Sequence, residues 1–93
     1  MIANASFPLG RVLMTRGIHS IVQEGKLNPA TYLRRHASGD WGDVCAADKQ
    51  LNDQSVKGDG RLFSSYEVNE QLKLWIITEW DRSVTTLLLP SEY

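Results

Sequence analysis

At 93 residues, 42% hydrophobic and 23% charged, with a net charge of −1, the chain has the composition of one folded domain with a small core. Its longest apolar runs fall far short of the roughly 20 residues that cross a bilayer, which excludes a membrane span. A single cysteine, Cys45, excludes an internal disulfide and fits a reducing, cytoplasmic setting. Charge is unevenly spread. Residues 1–39 carry Arg11, Arg16, Lys26, Arg34 and Arg35 against Glu24, or +4, while residues 40–93 carry five basic and ten acidic side chains, or −5. That asymmetry is too mild for a duplex-coating protein or a DNA mimic.

Residues 1–6 read as a loose leader without the basic start of a signal peptide. Leu9–Thr15 alternates as a first strand, with Val12 and Met14 on one side and Arg11 and Leu13 on the other. Thr15 is placed to cap a helix over Gly17–Glu24, whose Ile18, Ile21 and Val22 recur at helical spacing before Gly25 stops it. Asn28-Pro29 is a capping residue followed by proline at the first helical position, which starts a second helix running to about Ala37. The segment Gly39–Val44 (GDWGDV) then forms a joint, in which Gly39 ends the second helix and Asp43 caps a third over Ala46–Val56.

From Arg61 the period changes from helical to two. Arg61–Val68, Leu72–Glu79 and Ser83–Leu89 read as three strands joined by turns at Asn69–Gln71 and Trp80–Arg82. The middle strand is apolar on both sides, which places it inside the sheet. The expectation is an α+β domain, an antiparallel β-meander plus a short N-terminal strand, with three helices on one face. Leu62, Tyr66, Leu74, Ile76, Val84 and Leu88 are expected to line the helix-covered side, with Ile21, Leu33 and Leu51 packed on them.

Catalytic chemistry finds little support. His19, His36 and Cys45 lie on three separate elements without metal-ligand spacing, so no metal or cofactor is expected. A Cys45–His36 nucleophile pair, oriented by Asp40 or Asp43, and a paired-carboxylate acid/base site at Glu79 and Asp81 are the enzymatic arrangements the residues suggest. Glu79, Asp81 and Arg82 cluster in the last turn, where Asp81 is expected to hold the turn amides and Arg82 to pair with a carboxylate. Three tryptophans, Trp41, Trp75 and Trp80, are unusual in so short a chain. Trp75 is expected in the core, whereas Trp41 and Trp80 fall in turns and are both expected to contribute to a partner contact. An exposed tryptophan beside Glu79, Asp81 and Arg82 has the composition of a protein-binding hot spot. The second reading is a nucleic-acid surface built from Arg11, Arg16, Arg34 and Arg35.

The runs GDWGDVCAADKQLNDQSVKGDGRLFSSY and LWIITEWDRSVTTLLLPSEY resemble a family of short bacterial proteins carried by plasmids, phages and integrated elements. The resemblance spans Leu9–Tyr93 and rests on Gly39-Asp40-Trp41-Gly42, Asp48, Asn52, Gly60-Arg61, Ser65-Tyr66 and the stretch from Trp75 to Tyr93. Trp80 departs from it, standing where a small residue is expected. The resemblance implies a non-enzymatic mobile-element accessory protein. Together with the turn-borne aromatics it leads to an expected role as a stoichiometric inhibitor of a host defence nuclease system, of anti-CRISPR or anti-restriction type. The expected partner is therefore a protein complex that handles nucleic acid.

Overall fold

A computed structural model describes residues 5–93 and shows an α+β domain. The elements run β1 (Arg11–Met14), α1 (Arg16–Gln23), α2 (Pro29–Ala37), α3 (Ala46–Val56), β2 (Leu62–Asn69), β3 (Leu72–Thr78), β4 (Val84–Leu88) and a closing 3₁₀ turn, Pro90–Glu92. The expected helix signals act as physical stops and starts. The Thr15 hydroxyl accepts from the Ile18 N–H, and the Asn28 carboxamide accepts from the Ala30 N–H beside Pro29. Gly39 takes φ 86°, which lets the Asp40 N–H turn back to the Arg35 carbonyl at 2.9 Å.

β2, β3 and β4 form the expected antiparallel meander, but the sheet as a whole is mixed. Its order is β1-β4-β3-β2, and β1 runs parallel to β4. A parallel neighbour needs a long crossover, and the entire stretch from α1 to β3 provides it. The register also changes which residues of β4 meet the helices. Ile76 pairs with Leu87 and Thr78 with Thr85, so Thr85 and Leu87 lie beneath the helices while Val84 and Leu88 point to the opposite face. The expectation for Val84 and Leu88 is therefore corrected. Six residues, an even number, separate the paired Thr78 and Thr85, so even-numbered residues of β3 lie opposite odd-numbered residues of β4.

The helix-covered core has two parts. Ile18, Leu27, Tyr66, Leu74, Ile76 and Leu87 form one, with Ile21, Val22, Tyr32 and Leu33 packed against it. Phe7, Trp41, Val44 and Leu62 form the other. Each fully buried aliphatic side chain contributes about 1.5–3 kcal/mol relative to exposure. Leu51 does not join them. It is 60% exposed, because α3 sits against the β2 edge and turns Asn52 inward instead. Of the expected leader, residues 1–4 lie outside the described chain. Ser6 is tied down, its N–H donated to the Ala37 carbonyl at 2.7 Å, and Phe7 is buried.

The outer side of β2 is closed by side chains from distant positions. Asn52 accepts from the Phe63 N–H (3.2 Å) and donates to the Phe63 carbonyl (2.7 Å), copying a neighbouring strand. Next along the edge, Ser65 N–H reaches the Trp41 carbonyl and Asp43 N–H reaches the Ser65 carbonyl. Gly42 packs so tightly on Ser65 that any Cβ there would overlap its carbonyl, and its φ of 75° requires glycine as well. The Asp43 carboxylate then accepts from the Glu67 N–H at 2.9 Å. This corrects the expected role of Asp43. Cys45 occupies the N-cap of α3 without a side-chain bond, and Asp43 closes the sheet edge rather than the helix.

Candidate functional site

The β3–β4 turn presents one large apolar side chain to solvent. Trp80 is 61% exposed. Its neighbours are fully engaged in holding the turn. Arg82 sits at φ 61°, and its guanidinium donates to the carbonyls of Gly60 (2.6 Å), Glu79 (3.1 Å), Trp80 (3.3 Å) and Ser55 (2.5 Å). The expected carboxylate partner of Arg82 is thus replaced by four backbone oxygens. They bind the turn to the end of α3 and to the loop before β2. Asp81 accepts from the Ser83 N–H and hydroxyl (3.1 and 2.6 Å), which holds its carboxyl below the usual range. Glu79 N–H bonds the Val84 carbonyl at 2.9 Å and closes the hairpin. Within Glu79-Trp80-Asp81-Arg82, then, Trp80 is the exposed side chain and Arg82 the clamp that holds the turn.

Trp41 does not belong to that surface. It is 3% exposed, lies roughly parallel to Phe7 with centroids 6.0 Å apart, and donates its indole N–H to Asp53 at 2.9 Å. As a partner contact it is corrected: the backbone bridge to β2 draws the loop, and its tryptophan, onto the core. Trp75, expected inside, is half-buried on the sheet face opposite the helices. There it meets Phe63 and Tyr93 edge-on at 5.0 and 5.6 Å, with Arg61 over the Tyr93 ring. Arg61, Phe63, Trp75, Ile77 and Tyr93 line a shallow cleft of about 200 Å³.

The four bases proposed to hold phosphates are not gathered. Arg11 lies on the edge strand, Arg16 heads α1, and Arg34 and Arg35 stand on α2 across the sheet from the Arg11 side chain. Arg35 is committed internally. It pairs with Asp40 at 2.7 Å and lies 4.6 Å over the Tyr66 ring. The hydrogen bond to Asp40 raises the Arg35 pKa, and the same bond lowers that of Asp40.

Sequence spacing missed a fully buried polar cluster around His36. His36 is fully buried between Phe7 and Trp41, edge-on to both rings. Its Nδ1 lies 2.6 Å from Ser64 Oγ and its Nε2 lies 2.9 Å from Thr78 Oγ1. Thr78 Oγ1 continues to Thr85 Oγ1 at 2.7 Å, and Thr85 donates to the Leu9 carbonyl at 2.6 Å. The last bond orders the chain. Thr85 spends its proton on Leu9, so Thr78 donates to Thr85, Nε2–H donates to Thr78, and Ser64 donates to Nδ1. The imidazole is neutral, and burial pushes its pKa down to about 3. A serine donating to a histidine has the geometry of an activated nucleophile. Both residues are fully buried, however, and no substrate reaches them. Cys45 is exposed and does not meet His36, whose nitrogens are both taken, so the Cys45–His36 pair is not formed. One signal was available in the sequence: Ser64, Thr78 and Thr85 interrupt otherwise apolar inward positions.

Among the described residues no group of three potential ligands converges to hold a metal ion, and no helix is long and apolar enough to cross a membrane. Comparison of the chain with family models, curated proteins and solved structures gives no match.

Proposed function

We propose that this protein is a non-enzymatic, cytoplasmic binding protein that occupies the surface of another protein, with Trp80 as its anchor. The observation that carries this reading is the exposed indole on a turn already immobilised by the Arg82 clamp. Tryptophan gains large contact area with few rotors, and a rigid turn loses little entropy on binding. The exposed Asp81 beside it and the −5 balance of residues 40–93 suit a basic surface, such as one that handles nucleic acid. The mobile-element resemblance makes a host defence nuclease complex the partner of choice, and inhibition by occupancy the activity.

The test is affinity capture from a bacterial host lysate with the parent and with Trp80→Ala, followed by inhibition assays on whatever nuclease is retained. Trp80→Ala should keep its melting temperature and lose at least about tenfold in affinity, equivalent to about 1.4 kcal/mol. Equal capture by the folded variant would remove the turn from the contact.

A further inference from the structure

The two edges of the sheet are treated oppositely. Along β2, the outward groups of Phe63, Ser65 and Glu67 are met by Asn52, the Trp41–Asp43 backbone and the Asp43 carboxylate. Along β1 there is no such cover among the described residues. Arg11 N–H bonds the Ser83 carbonyl (2.9 Å) and Thr15 N–H the Leu87 carbonyl (3.1 Å), so the backbone groups of the odd-numbered residues face β4. The N–H and C=O groups of Val12 and Met14 therefore point away from the sheet. Their side chains, with that of Leu13, are 42%, 41% and 44% exposed. Edges are ordinarily blunted by proline, inward charge or a bulge, and the Val12-Leu13-Met14 run has none of these.

Charge and continuity narrow what fits there. Exposed Arg11 and Arg16 flank the apolar run, and the ion pairs among the described residues, Lys26–Glu24 and Arg35–Asp40, use neither. The carboxylates at either end are engaged locally: Glu92 by Thr15, Gly17 and Leu89, Asp81 by Ser83. Gly10, at φ 65°, packs directly on the Arg82 and Ser83 carbonyls, so the Trp80 turn adjoins the start of β1.

We propose that the outer edge of β1 accepts an extended segment of a partner protein as a fifth strand, apolar at its centre and acidic at its ends. The open N–H and C=O groups of Val12 and Met14 supply the ladder, the apolar triplet receives alternate side chains, and Arg11 and Arg16 receive the terminal carboxylates. This rests on the protein-binding reading above and adds the chemistry of the bound segment.

The probe is a labelled peptide of alternating valine and threonine with a pair of aspartates at each end, titrated by fluorescence anisotropy against the intact protein. A matched peptide carries lysines in place of the aspartates. Saturable binding by the aspartate peptide is expected, at least about tenfold tighter than by the lysine peptide. Val12→Pro removes an outward N–H without removing a bond to β4, so it should fold and bind at least about tenfold more weakly. If that variant melts early, Leu13→Glu serves instead, placing a repelling carboxylate on the exposed edge. The proposal is overturned by no saturation below about 1 mM, by equal affinity for the two peptides, or by undiminished binding to the folded variants. It is also overturned if sedimentation shows a dimer of this chain that Val12→Pro dissolves, since the edge then belongs to a second copy. Lysate capture that depends on Trp80 but not on Val12 would sink the edge proposal and leave the protein-binding reading standing.

Discussion

Acidification from neutral pH to about pH 5 should destabilise this protein chiefly through His36. His36 is neutral in the folded state, with its pKa at about 3, and regains its ordinary value of 6.5 when the chain unfolds. Below pH 6.5 the unfolded state therefore binds a proton that the folded state refuses. Stability attributable to His36 is complete above 6.5 and declines by about 1.4 kcal/mol per pH unit as pH falls toward 3. Between pH 7.5 and 5.0 the loss comes to about 2 kcal/mol, or roughly 8–16 °C in melting temperature for a domain of this size. The carboxyls with lowered pKa, those of Asp40, Asp81 and Glu92, add the same sign of effect, but below the ordinary carboxylate values of 3.8–4.5. Measurements kept above pH 5 isolate the histidine. Urea unfolding followed by tryptophan fluorescence suits the purpose, since Trp41 touches His36 with centroids 5.6 Å apart. His36→Gln should be less stable at pH 7.5, having lost its aromatic contacts, and should show a much flatter pH dependence. If the substitution prevents folding, an NMR titration of the parent imidazole is the alternative check. A His36 signal titrating near 6.5 in the folded protein, or a stability unchanged from pH 7.5 to 5.0, would refute the reasoning.

Arg82→Ala should cost about 2–4 kcal/mol by leaving partly buried carbonyls of Ser55 and Gly60 without their charged donor. Differential scanning calorimetry should show it as a lower melting temperature, with Arg82→Lys intermediate because an ammonium lacks the planar fork. Asn52→Ala exposes one N–H and one carbonyl on the β2 edge and should cost about 1–3 kcal/mol. Hydrogen exchange at the Phe63 amide should accelerate in that variant while the Ile76 amide stays protected, and equal protection at both would deny Asn52 its edge role.

The helices were legible because their signals are local. A hydroxyl or carboxamide cap, a proline at the first turn and a glycine at the end act on backbone groups within four residues, so Thr15, Asn28-Pro29, Gly25 and Gly39 could be placed by reading alone. The meander was legible for the same reason, since alternation and turn chemistry lie in consecutive residues. Roles that depend on register or on distant partners were not. An even number of residues between paired positions put Thr85 and Leu87, rather than Val84 and Leu88, beneath the helices. A ladder bridge pulled Trp41 inward and left Trp80 as the exposed indole. Asp43 closes an edge 24 positions away, Asn52 does so across 11, and His36 meets Ser64 and Thr78 across 28 and 42. Sequence alone determined which segments are helix or strand, because those choices are settled by neighbouring residues. Tertiary structure decided which edge is sealed, which tryptophan is offered to solvent and which histidine is denied a proton, because each of these depends on groups that only the folded chain brings together.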